Sequence, residues 1–434
     1  MKKVVILGGG FGGLSAIAHI RKQIKKGKVE VTLVDKHNFS LFTPMLPEVV
    51  SGNVKPDNIV LPLREICVKN RVRFVRDEVK DINPESNKVI CKNTELEYDY
   101  LIMATGSKTN YRGNESAMKN AFEFKNITDA IDIKYLIIDY LEKASSMTSS
   151  DAKRALLSFS VIGGGITGVE LACEMNDFIT EKIKKEYNSI SKDEFSVNIL
   201  EYYKTILPSI DESQAVKAQD VVSKSGIHII NNANVKEIGE CSITYEENGE
   251  EKCLQSSITV WTAGVMGQDH LHSVAGTQSG DKRVFINHDL TPKDFGRDNI
   301  FIIGDSCAYQ HNEHILPPVA PLAMQQGIMA VMNIMRDIEG KPKKEFSYFH
   351  FGYLVSLGKN NSVVNLFGFK LRGRFAYYIW KMLYLYKVGM FKKQIGVFFD
   401  WIMTAWFGNE SVLIYDIERS YLSRQKPDDR GSEQ

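Results

Sequence analysis

A glycine-rich turn that recurs in the same strand–turn–helix setting predicts an α/β fold with two Rossmann-like dinucleotide-binding domains. GGGFGGLSAIAHI begins at Gly8 behind the apolar run VVIL, and GGGITGVELACEM begins at Gly163 behind SFSVI. The interval between them is too long for a solenoid repeat and suits two nucleotide folds in a chain of 434 residues. A dense run of aromatic residues and lysines over 375–407 adds a C-terminal helical region.

In the first unit a strand over 4–7 feeds the turn, a helix runs over 11–24, and a second strand over 29–34 ends at Asp35. Gly8 permits the tight turn, Gly10 lets a pyrophosphate approach the backbone, and Gly13 lets helix and strand pack closely. Free N–H groups at the helix start, with the positive end of its dipole, then favour phosphate. Asp35 stands where a carboxylate can accept hydrogen bonds from both hydroxyls of an adenosine ribose. One glycine motif alone is a weak signal. Strand, turn, helix, strand and acid in that order make it specific.

The second unit repeats the pattern with Gly163, Gly165 and Gly168, a helix carrying Glu170 and Glu174, and a strand over 197–200 that ends at Glu201. A carboxylate there repels a 2′-phosphate, so the nucleotide is expected to be NADH rather than NADPH, although Lys204 lies close by. YDYLIMATG at 98–106 and ITVWTAGV at 258–265 read as buried strands with small-residue turns, and NIFIIGD at 299–305 is followed by Ser306 and Cys307.

Composition narrows the class. With 54 basic and 53 acidic residues the net charge is +1, which gives no reason to expect nucleic acid as a partner. Six scattered cysteines form no CxxC, so neither a zinc ribbon nor a redox dithiol is predicted, and no metal site is expected. The first strand starts at Lys2, which leaves no room for a secretory leader, so a cytoplasmic location is expected. No run of about 18–20 apolar residues is present to span a bilayer. Residues 375–407 instead hold Trp380, Trp401 and Trp406 with Lys381, Lys387, Lys392 and Lys393 against the single acid Asp400, a composition suited to the headgroup region of a lipid surface or to a dimer interface.

GGGFGG with Asp35, LIMATGS, GGGITGVELACE with Glu201, TVWTAGV and NIFIIGDSC together resemble the two-dinucleotide-binding-domain flavoproteins over roughly residues 3–330. Within that superfamily the chain is most similar to the type II NADH:quinone oxidoreductases, or alternative NADH dehydrogenases. LVDKHNFSLFTPMLPEVVSG, PPVAPLAMQQG and the C-terminal run from YLVSLGKNN to IMTAWF carry that narrower likeness. Pro321 departs from the family's AQxAxQ motif, standing where its first glutamine would be.

The resemblance implies FAD in the first fold and NADH as substrate in the second. Gly8, Gly10, Phe11, Gly12, Gly13, Asp35, Lys36, Pro44, Ala104, Thr105, Gly106, Gly304 and Asp305 would serve FAD, with Asp305 on the ribitol or a neighbouring hydroxyl. Gly163, Gly165, Ile166, Thr167, Gly168, Glu201, Ala263 and Gly264 would serve NADH. Ala320, Ala323, Gln325 and Gln326 would line the quinone opening, and Glu170 and Gln325 are the expected catalytic residues. The expected domains are FAD-binding at 1–112 and again, with the quinone helix, at 286–340, an inserted NADH domain at 113–285, membrane docking at 341–420 and a polar tail at 421–434. The expected protein is a peripheral homodimer on the cytoplasmic side of the inner membrane that reduces menaquinone or ubiquinone without pumping protons. A sulfide:quinone oxidoreductase, which would need cysteines beside the flavin, and an FAD- and NADH-binding redox sensor are the competing readings.

Overall fold

Each glycine turn leaves the C-terminal end of the middle strand of a five-stranded parallel sheet. In the first sheet the order is Ile300–Ile302, Tyr100–Met103, Lys2–Leu7, Val29–Asp35, Arg73–Arg76. In the second it is Phe122–Glu123, Ile258–Trp261, Ser158–Ile162, Ser196–Leu200, His228–Ile230. These central strands are near-continuous apolar runs because parallel sheets are covered on both faces. All four residues of Tyr100–Met103 and all five of Ser158–Ile162 are buried. The computed structural model describes residues 1–311 and 314–414, so the polar tail expected at 421–434 lies outside the described residues.

The chain divides into two compact units, the first made of residues 1–41, 60–110 and 265–351, the second of 42–59, 111–264 and 352 onward. The division differs from the sequence expectation: residues 42–59 leave the first fold, residues 265–285 and 341–351 join it, and the C-terminal region from 352 belongs with the second unit rather than standing alone. Hydrogen bonds tie residues 42–59 to that C-terminal region. Asp400, on the last helix, accepts from the Lys55 amide at 2.9 Å and from the Asn58 side chain at 2.6 Å, and Trp401 donates to Glu48 at 3.0 Å.

In the first unit the Phe11–Lys25 helix crosses Ala320–Ile338 where both carry glycine. A Cβ on Gly327 would lie 2.4 Å from the Gly12 carbonyl oxygen, so only hydrogen fits at this crossing. Ser15 adds a hydrogen bond to the Met324 carbonyl at 2.8 Å. In the second unit the strands Gly352–Ser356, Ser362–Leu366 and Phe369–Arg372 form an antiparallel sheet, followed by the helices Arg374–Lys387 and Phe391–Phe407. Trp380 packs with Leu354, Val364 and Ala376 as the core of this region.

Trp380 and Lys381, expected at the headgroup level, therefore point inward. Trp380 is fully buried, and the Lys381 ammonium sits 4.6 Å from the Trp401 ring and 4.9 Å from that of Tyr377. Asp400 carries two of the hydrogen bonds that attach residues 42–59 to the last helix. Asp400→Ala should cost about 1–3 kcal/mol in chemical denaturation, and Asp400→Asn, which keeps one acceptor oxygen, should cost less. Equal stability of the alanine variant and the wild type would refute the assignment.

Candidate functional site

The two nucleotide cradles are built alike. Gly8 and Gly163 have φ of +97° and +104°, the left-handed region that favours glycine. Their Cβ atoms would also meet backbone, at 2.2 Å from the Ala104 oxygen and 2.8 Å from the Ala263 Cα. A Cβ on Gly13 would lie 1.9 Å from the Gly8 oxygen, and one on Gly168 would lie 1.9 Å from the Gly163 oxygen. In both cradles, then, the helix rests directly on the turn that precedes it. Gly10 and Gly165, the helix N-caps, have nothing within 4 Å of where a Cβ would stand, so the open side of each turn faces space. Neither helix has an acid in its first turn to occupy its N–H groups.

The acids that close the cradles are held by backbone. Asp35 accepts from the Gly9 amide at 2.7 Å and from the His37 amide at 2.8 Å. Glu201 accepts from Gly164 at 2.5 Å and from Tyr203 at 2.9 Å. Each carboxylate oxygen has a second lone pair, which leaves acceptor capacity for ribose hydroxyls.

Opposite the first cradle, Ala104, Thr105 and Gly106 lead into Ser107, whose hydroxyl donates to Asp305 at 2.9 Å. Thr105 lies 3.2 Å from the Ser306 hydroxyl, and His270 Nε2 lies 3.0 Å from Thr105. This network holds the small-residue turn and the Gly304–Asp305 turn together, as two walls of one site require. An open pyrophosphate turn, a ribose acid and a second acid on a fixed turn fit a flavin dinucleotide.

The structure separates the expected site residues. Pro44 falls in the second unit and Lys36 is exposed. Ala323 backs Gly304, its Cβ 3.1 Å from where one on Gly304 would be. Gln326 is fully buried and its amide is committed to the Gly304–Asp305 turn, accepting from the Gly304 amide at 2.7 Å with its Nε2 3.4 Å from the Cys307 sulfur. Gln325 donates to the Phe349 carbonyl at 2.9 Å and accepts from the Phe349 amide at 3.0 Å, splicing its helix to the following chain. Pro321 occupies the first turn of that helix, where no amide hydrogen is needed.

Sequence reasoning missed a cluster of carboxyls around Glu170. Glu48, Glu170 and Glu174 are all buried. Glu170 accepts from the Ser356 amide at 2.9 Å; Glu174 accepts from Ser51 at 2.5 Å and from Asn53 at 2.8 Å. Burial pushes the Glu170 carboxyl up to about 8, with Glu174 and Glu48 adding to the rise. Burial also lifts Glu48 and Glu174 well above the ordinary carboxylate range, against the pull of the Lys381 ammonium. Burial therefore favours the protonated form of all three acids. Only the i, i+4 spacing of Glu170 and Glu174 on one helix face was visible in sequence. Glu48, Lys381 and Trp401 come from distant segments.

A family model of the pyridine nucleotide-disulphide oxidoreductases matches residues 2–327, and one of the NDH2 C-terminal domain matches residues 350–410. A type II NADH:quinone oxidoreductase of Staphylococcus aureus is 29% identical over 385 residues, covering 88% of this chain and 94% of its own. The structure of NDH2 from Plasmodium falciparum in complex with NADH superposes with a TM-score of 0.88 at 23% identity, covering 95% of this chain and all of that one. A sulfide:quinone oxidoreductase from Aquifex aeolicus shares the fold at a TM-score of 0.74 and 19% identity, covering 94% of this chain and 96% of that one.

Gly168→Ala should lower stability by about 1–3 kcal/mol or more through overpacking. Gly165→Ala should leave stability unchanged and weaken dinucleotide binding, and the reverse pattern in melting and titration would refute the cradle. The buried acids bind protons in the fold that the unfolded chain releases above about 4.5. Their contribution is thus present at low pH and lost as pH rises toward 8. Glu174→Gln should flatten the decline in stability between pH 5 and 8, and an unchanged slope would contradict the shared burial. Two nucleotide folds over residues 2–327, followed by an NDH2 C-terminal domain, place this chain in the pyridine nucleotide-disulphide oxidoreductase family.

Proposed function

We propose that the protein is a type II NADH:quinone oxidoreductase that works at a membrane surface without pumping protons. The observation that carries the reading is the combination, in one chain, of two dinucleotide cradles with an NDH2 C-terminal domain whose helices expose an apolar face. When bound, FAD supplies the two-electron relay, receiving a hydride from NADH and delivering two electrons to a quinone. NADH, one proton and quinone give NAD⁺ and quinol.

The chain's own residues bind and orient. Gly10 with the Phe11–Lys25 helix start receives the flavin pyrophosphate, Asp35 its ribose, and Asp305 on its braced turn the ribitol side. Gly165 with the Ile166–Lys185 helix start and Glu201 do the same for NADH. Ala320, Ala323 and Gln325 belong to the quinone side of this reading, with Gln325 and Gln326 shaping it through the backbone that they hold. Glu170 has one carboxyl oxygen on the Ser356 amide, and burial favours its protonated form, which makes it the proton donor of this reading.

The exposed face supports docking on lipid. Tyr386, Phe391, Trp406 and Phe407 are 75–80% exposed, and Lys392 and Lys393 stand among them. Aromatic side chains with lysines suit the bilayer interface. Among the described residues no helix is long and apolar enough to cross a membrane. A second copy on part of the same face, giving a homodimer, belongs to the proposal.

Cysteine chemistry disfavours the sulfide reading. Cys307 is buried and its thiol is pushed up to about 12, Cys173 is buried and raised, and neither has the electropositive, partly open setting of a reactive thiol.

Turnover of NADH with a vesicle-embedded quinone tests the reading, and failure to turn over would refute it. Asp305→Ala should lose flavin on purification, and retained yellow colour would remove it from the site. Trp406→Ser with Phe407→Ser should release the protein from anionic vesicles while leaving turnover with a short-tail quinone unchanged. Undiminished co-sedimentation would move the docking surface elsewhere.

A further inference from the structure

Glu201 ends its strand with Tyr202 and Tyr203, and both rings are left in solvent, 65% and 53% exposed. Their exposure does not come from a loose loop. The Tyr203 amide donates to Glu201 at 2.9 Å, the Tyr203 carbonyl accepts from Asn232 at 3.1 Å, and the Leu207 amide donates to the Gly164 carbonyl at 2.7 Å. Ile206 and Leu207 are fully buried immediately behind. The backbone is thus tied to the ribose acid, to a neighbouring turn and to the glycine turn itself, while two large rings stand edge to face, centroids 5.5 Å apart at 86°. The acid that takes the ribose hydroxyls and the amide that positions the rings share one hydrogen bond.

We propose that Tyr202 and Tyr203 form the platform on which the adenine of NADH stacks. The inference deepens the NADH site proposed above and rests on it. The base is joined directly to the ribose that Glu201 is assigned to hold, so a stacking surface for it must lie within a base's length of that carboxylate. The pair lies one and two residues from Glu201, at the C-terminal edge of a parallel sheet where nucleotides bind. Every base presents a π-face, and stacking on an aromatic side chain strengthens binding without needing a polar partner. The platform would make the adenosine half the anchor of NADH and leave the nicotinamide half to the chemistry.

The test compares the holoenzyme with a Tyr202→Ala/Tyr203→Ala double variant, using NADH, reduced nicotinamide mononucleotide, which lacks the adenosine half, and ADP-ribose as a competitive inhibitor. The KM for NADH and the inhibition constant of ADP-ribose should both rise about tenfold or more in the variant. The kcat and the parameters for reduced nicotinamide mononucleotide should not change. Tyr202→Phe/Tyr203→Phe, which keeps both rings, should restore the wild-type values. A change of less than about twofold for NADH and ADP-ribose, or an equal loss with the mononucleotide, would overturn the platform. If the wild type fails to oxidise NADH, the underlying nucleotide reading falls and the platform with it.

Discussion

Both halves of the molecule depend on one close approach, that of a helix to the turn from which it springs. The contact of Gly13 with the Gly8 carbonyl, repeated by Gly168 and Gly163, leaves no space for a single carbon atom. It seats each helix N-terminus directly on its turn, at the end of its sheet. The acid at the end of the next strand then fastens the turn from the other side, through Gly9 in one unit and Gly164 in the other. The phosphate and ribose recognition proposed for these turns would thus be a consequence of how the strand, turn and helix pack.

The second unit adds a constraint of a different kind. Residues 42–59 and the two C-terminal helices are attached to it by polar groups, of which Glu48, Ser51 and Glu174 are buried and Asn53, Asp400 and Trp401 partly so. Burying carboxyls is costly unless they are protonated or paired. Here burial lifts the carboxyls of Glu48, Glu170 and Glu174 above the ordinary range, and Lys381 lies between aromatic rings that its charge can face. The C-terminal helices bury Ala376, Trp380 and Val397 and still leave many large apolar side chains outside, among them Phe375, Met382, Phe391, Trp406 and Phe407, more than an ordinary soluble helix exposes.

The fold was legible where local chemistry forces it. The strand limits of both glycine units and the helix limits of the first lie within two residues of those observed, because glycine spacing, apolar runs and terminal acids are all local signals. The paired small-residue turns at 104–106 and 262–264 were equally visible. What escaped were assignments that depend on distant segments. Trp380 and Lys381 read as interfacial because an amphipathic helix has two faces, and sequence periodicity does not say which one meets the protein. Gln326 read as a ligand-facing amide, since nothing in its neighbourhood shows that it accepts the Gly304 amide 22 residues away. The carboxyl cluster draws on three stretches far apart in sequence, and only folding brings them into one environment.

The central claim is that electrons pass from NADH through bound flavin to a quinone. The most direct measurement is anaerobic rapid mixing of the holoenzyme, with the flavin absorbance followed first against NADH, then against a short-tail quinone, and separately against sulfide. The account predicts bleaching by NADH, recovery on adding quinone, and no bleaching by sulfide. Bleaching by sulfide alone, or bleaching by NADH that quinone does not reverse, would contradict it.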